Sequence, residues 1–327
     1  MAQLIRQTLR IDSGIAVGDV ASLHLAVEVQ VDPQALRRER TAAVVCLPGG
    51  GMNRRYYDLR TANDDSYSFA AQMALRGFIV VLVDHPGVGE SDRPSDGYAL
   101  THEVITRAED NAVEQVLAGL RAGTLIAGLA PLPDLRSIIV GHSMGAMLAC
   151  LQQVSSGRHA GVAALGFGTR GLPGFLPRRA RELSHDVAAV RAELVSLAKS
   201  MFVEPYPVIR SDARSSELYG SGGKAEAAGI AALKAAGDCV LPVPALLSML
   251  PDNIVSDTNR ITVPIFIAAG ERDMVGNVHE IPASFSASRD VTLLVLPETG
   301  HSHFLFATRH QLFKRLADWA QSVPLQS

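Results

Sequence analysis

A chain of 327 residues, 47% hydrophobic and 19% charged, has enough apolar material for one large α/β domain with an insertion, or for two domains. Its net charge of −3, from 30 basic and 33 acidic residues, gives no reason to expect a nucleic-acid or anionic-membrane partner. The opening MAQLIRQTLRID lacks an apolar core of signal-peptide length and no later run approaches a membrane span, so a cytoplasmic protein is expected. The three cysteines, Cys46, Cys150 and Cys239, are odd in number and far apart, which fits buried free thiols in a reducing compartment.

Residues 4–11 and 23–31 alternate apolar and polar side chains, the pattern of two half-buried antiparallel strands. A charged loop, 32–40, follows. Residues 42–47 are continuously apolar, as in a strand buried on both faces, and run into Pro48-Gly49-Gly50-Gly51. This turn lacks the lysine of a phosphate loop and does not open a helix as a dinucleotide fingerprint would. A glycine turn after the third strand, upstream of a nucleophile, suits an oxyanion loop better. Residues 66–76 read as a helix, and 78–83 as another buried strand ending in Asp84 and His85. Those two are read as turn residues rather than as a catalytic pair. A long helix is expected over 101–121.

The stretch 137–150, SIIVGHSMGAMLAC, organises the rest. Ile138, Ile139 and Val140 form an apolar β-branched run, and Met144, Met147, Leu148, Leu151 and Val154 recur at helical spacing. Between them lies G-x-S-x-G, with Ser143 at a strand-to-helix turn. A nucleophile on so sharp a turn has strained backbone angles, and glycine neighbours leave room for strand and helix to approach. The helix N-terminus behind it adds N–H groups and a positive dipole end.

After a further strand at 161–167 the alternation stops. From about 170 to 260 the chain reads as an insertion, with helices at 184–201 and 224–236 separated by a loop at 204–223. The apolar run 239–250, CVLPVPALLSML, is broken by Pro242 and Pro244 and so reads as the wall of a cleft or lid rather than a core strand. Leu246 and Leu247 are its candidate substrate contacts. Arginines 170, 178, 179 and 181 read as a solvated rim. Strands return at 263–269 and 291–296, with a short helix at 281–287 and a closing helix at 304–321.

A serine needs a base to take its proton, and the base needs an orienting acid. Asp273 follows one late strand and His301 the next, so all three groups fall at the C-terminal edge of a mostly parallel sheet. Glu271 is a rival acid and His303 a rival base. A metal pair of His301 and His303 is the other reading of this His-x-His, and a zinc site needs further ligands that do not accompany them. No metal and no cofactor is expected.

The motifs PGGG at 48–51, DHPGVGES at 84–91, GHSMG at 141–145, GERDMV at 270–275 and ETGH at 298–301 give the chain a resemblance to the α/β-hydrolase fold superfamily, over nearly its whole length. The order Ser, Asp, His is the order of that superfamily. The resemblance implies an α/β fold, a mostly parallel doubly wound sheet with an inserted helical cap. The core would comprise 1–169 and 261–327 and the cap 170–260. It implies His301 as base, by the family's Gly-His turn. It also implies an oxyanion hole from the N–H of Gly50, with Gly51 as second choice, paired with that of Met144. Family members with an aspartate nucleophile are set aside by Ser143.

The expected activity is hydrolysis of a carboxylic ester, with a small, partly apolar ester-like molecule as substrate. The same residues would serve a C–C bond hydrolase or an acyltransferase. A non-enzymatic ligand receptor is the reading least compatible with the intact Ser143–His301–Asp273 set.

Overall fold

The computed structural model describes residues 4–36, 41–62, 64–208 and 224–324. The expected loops 32–40 and 204–223 therefore fall partly outside the described residues. Strands β1 Ile5–Asp12, β2 His24–Val31, β3 Ala42–Leu47, β4 Ile79–Val83, β5 Arg136–His142, β6 Gly161–Leu165, β7 Ile265–Gly270 and β8 Val291–Leu296 form one eight-stranded sheet. Its spatial order is β1-β2-β4-β3-β5-β6-β7-β8. β2 pairs antiparallel with both β1 and β4, and every pairing from β4 to β8 is parallel.

The apolar runs explain this arrangement. β3, β4, β6 and β7 are buried at every position because helices cover both faces of a parallel sheet. Alternate residues of β3 therefore enter two cores. Ala43, Val45 and Leu47 face one, and Ala42, Val44 and Cys46 the other. Edge strand β1 instead alternates half-buried and exposed residues. All three cysteines are buried free thiols.

Helices α1 Phe69–Ala74, α2 His102–Ala122 and α3 Met144–Ser156 precede β6 or connect to it. Ser68 and Thr101 cap α1 and α2, each accepting from a backbone N–H of the first turn. Between β6 and β7 come α4 Arg178–Leu183, α5 Val187–Met201, α6 Ala227–Ala235, α7 Pro242–Met249 and α8 Val255–Thr258, and α9 Arg309–Ser322 closes the fold. The residues expected as a short helix at 281–287 form a 3₁₀ segment, Val278–Phe285.

The helical insertion is tied to the sheet. Met52 bridges Gly237, and the Asn53 and Asp238 N–H groups donate to the Ala236 and Gly51 carbonyls at 3.1 and 2.8 Å. Arg309 of α9 reaches Glu226 at 3.0 Å and lies over the Tyr67 ring. The apolar run 239–250 becomes α7, with Pro242 at its start, where the first-turn N–H groups have no intrahelical acceptor. Prolines that would break a strand thus begin a helix. No helix among the described residues is long and apolar enough to cross a membrane.

Candidate active site

The loops that follow β3, β5, β7 and β8 meet at one sheet edge. Ser143 leaves β5 with φ 54° and ψ −123°, left-handed for a residue with a side chain. Such a conformation costs on the order of 1–3 kcal/mol and persists only where the surroundings hold it. Here its N–H donates to the Leu165 carbonyl at 2.8 Å, and its own carbonyl accepts from Ala146 and Met147 as α3 begins. Gly141 and Gly145 permit the turn. A Cβ on Gly145 would lie 2.3 Å from the carbonyl oxygens of Leu47 and Pro48, and one on Gly141 would lie 2.3 Å from the Gly145 carbonyl oxygen.

Ser143, Met144 and His301 line one cleft with Phe167, Leu172, Ser248, Met274 and Val275 and the glycines 166, 168 and 171. Its empty volume, with the open solvent at its mouth, is about 310 Å³. His301 Nδ1 lies 2.7 Å from Asp273 Oδ1, and the carboxylate is fully enclosed. Burial works against ionisation of Asp273. The charge and hydrogen bonds of His301 and His303 outweigh it and hold the group well below the usual carboxylate range. The expected rival acid, Glu271, is exposed and its carboxylate accepts from the Glu298 N–H at 3.0 Å, away from His301.

His303 is not on the cleft. Its ring is fully enclosed, and its Nε2 lies 2.8 Å from the second Asp273 oxygen. Asp273 therefore stands between two imidazoles. His142, the first variable residue of the serine motif, donates from Nε2 to the His301 carbonyl at 2.9 Å and packs between the Tyr56 and His301 rings. Burial, together with the neighbouring His301 and His303, pushes its pKa well below the ordinary histidine value. The sequence reading had no role for His142. Its only sequence signal was its place inside the motif.

Gly50 sits against Met144. A Cβ built on Gly50 would lie 3.6 Å from the Met144 sulfur. Gly51 takes a positive φ of 78°, and its carbonyl accepts the Asp238 N–H from the insertion. The glycine turn is backed by a fully buried pair. His85 donates from Nε2 to the Pro48 carbonyl at 2.8 Å and meets Glu109 through Nδ1. Asp84 accepts from the Arg54 N–H at 2.7 Å and pairs with its guanidinium. Both residues thus serve the turns, as read from the sequence.

Leu246 and Leu247 call for a correction. Both are wholly buried in the main core. Their neighbour Ser248 lines the cleft, because residues one apart on a helix point about 100° apart. Among the described residues no group of three or more His, Cys, Asp and Glu side chains is arranged to hold a metal ion.

Many solved structures share this fold. An esterase from Exiguobacterium antarcticum is 18% identical with a TM-score of 0.61, the match covering 94% of this chain and 98% of that one. A thermophilic esterase from Thermogutta terrifontis is 16% identical with a TM-score of 0.57, over 96% and 99%. Rv0554 from Mycobacterium tuberculosis is 17% identical with a TM-score of 0.62, over 97% and 100%. No curated protein matches the sequence. The family model for the alpha/beta hydrolase family matches residues 44–314, most of the chain and every residue that lines the cleft. With that match and this sheet order, the protein belongs to the alpha/beta hydrolase family.

Proposed function

We propose that this hydrolase cleaves a carboxylic ester through a covalent acyl-enzyme on Ser143. The observation that carries the reading is a serine in a strained left-handed turn on the same cleft as a histidine whose other nitrogen is held by a buried, ionised aspartate. With Asp273 accepting at Nδ1, the His301 tautomer leaves Nε2 free to take the Ser143 proton. Ser143 Oγ then attacks the acyl carbon. The oxyanion receives N–H donors from Met144, in the first turn of α3, and from Gly50 beside it. His301 returns its proton to the leaving alcohol, and water, activated by the same histidine, releases the acid.

Phe167, Leu172, Met274 and Val275 favour a small apolar acyl group in the cleft. The insertion at 170–260 acts as the lid of this site. The esterase neighbours agree with this chemistry. The reaction draws on side chains and backbone alone. A fluorophosphonate probe should label wild-type protein on Ser143 and leave Ser143→Ala, folded, unlabelled. His301→Ala should lower kcat on a chromogenic acetate ester by roughly three decades or more. Labelling that persists without Ser143, or maps to another residue, overturns the reading.

A further inference from the structure

We propose that His303 is a positioning residue for this site: by donating from Nε2 to the second oxygen of Asp273, it fixes the carboxylate that orients His301. The inference rests on the serine hydrolase reading of the cleft.

The geometry has three parts. First, both imidazoles meet the same carboxylate on opposite oxygens, at 2.7 and 2.8 Å. A carboxylate held through one oxygen can turn about its terminal torsion, which is broad and roughly two-fold. A donor on the other oxygen removes that freedom, and with it the wander of His301. Second, the two rings reach Asp273 because the backbone between them is pinned. The His301 carbonyl accepts from the His303 N–H at 3.1 Å and from His142 Nε2 at 2.9 Å. Third, His303 offers no other use for its polar atoms. Its ring is wholly enclosed and its Nδ1 has no hydrogen-bond partner among the described residues. Asp273, held ionised, only accepts, so the hydrogen on His303 sits on Nε2. Enclosure also removes His303 as an alternative base, since it has no face on the cleft.

The test compares two amides at this position. A glutamine can set its side-chain nitrogen near the place of Nε2, while an asparagine stops near that of Nδ1. Both keep a polar group of similar kind in the same enclosure. Ser143 labelling by a fluorophosphonate is timed for wild type, His303→Gln and His303→Asn, beside kcat and KM on a chromogenic acetate ester. His303→Asn is expected to slow labelling and kcat by about 10–100-fold with KM nearly unchanged. His303→Gln should stay within about fivefold of wild type.

On protein labelled with ¹⁵N-histidine, the His301 Nδ1–H resonance should persist in His303→Gln and be lost or broadened in His303→Asn. That reading holds even where one variant is less stable. Equal rates in both variants, whether at the wild-type level or equally reduced, overturn the donor role. If wild-type Ser143 labels normally, that result leaves the serine reading standing. Failure of wild-type Ser143 to label overturns the serine reading, and the role of His303 with it.

Discussion

At the scale of single residues, packing and intrinsic preference pull Gly145 in opposite directions. Alanine in a helix is favoured over glycine by about 1 kcal/mol. An exposed helical glycine would therefore gain stability on substitution. At 145, however, the added methyl would lie 2.3 Å from two backbone carbonyl oxygens, and backbone cannot swing aside as a flexible side chain can. Overpacking of this kind costs roughly 1–3 kcal/mol, occasionally more. Gly145→Ala should thus melt at a lower temperature than wild type and lose most Ser143 labelling, because α3 must retreat from β3 and carry the turn with it. Thermal melting and probe labelling check both parts. A rise in melting temperature would show that propensity wins.

At the scale of elements, α7 separates what seals the core from what lines the cleft. Leu246 is fully buried, and truncating such a leucine costs about 2–5 kcal/mol. Leu246→Ala should therefore lower the melting temperature and reduce activity alike on short and long acyl esters. Ser248→Phe, pointing into the cleft, should instead raise KM for longer acyl chains more than for acetate while the melting temperature barely moves. A chain-length series with both variants distinguishes them. The contrast also marks where the sequence was readable. Strands β3 to β7 announce themselves as short apolar runs because both their faces are buried. The turns after β5, β7 and β8 carry Ser143, Asp273 and His301 to one sheet edge. α7 was obscured because its prolines count against a strand yet are harmless at a helix start. The grip of His303 on Asp273 was obscured because it joins residues 30 apart that no periodicity relates.

At the scale of the whole molecule, buried histidines set how the fold responds to pH. Burial and two neighbouring imidazoles depress His142 well below the ordinary value, and burial brings His159, in a separate pocket beside Ser137, to about 3. Unfolded, both return to about 6.5. As pH falls through that value the unfolded chain binds two protons that the native state refuses. Stability contributed by these groups is complete above about 6.5 and is lost as pH falls toward their folded values. Each costs about 1.4 kcal/mol per pH unit in that window, against a total stability on the order of 5–15 kcal/mol. His85 has the opposite sign. Burial opposes its charge, but Glu109 outweighs burial and raises its pKa. Its contribution is full below about 6.5 and fades as pH rises through its folded value. The three together put maximum stability near pH 6.5, with a steep acid side. Urea unfolding at pH 7.5, 6.5 and 5.0 should therefore show the highest midpoint at 6.5 and a marked drop by 5.0. Replacing one depressed group removes one proton from the acid slope, so His159→Gln should unfold with a shallower dependence between pH 6.5 and 5.0, whatever its stability at neutral pH. A midpoint that stays level from pH 7.5 to 5.0, or an acid slope unchanged in His159→Gln, would mean that these histidines take up protons in the native state.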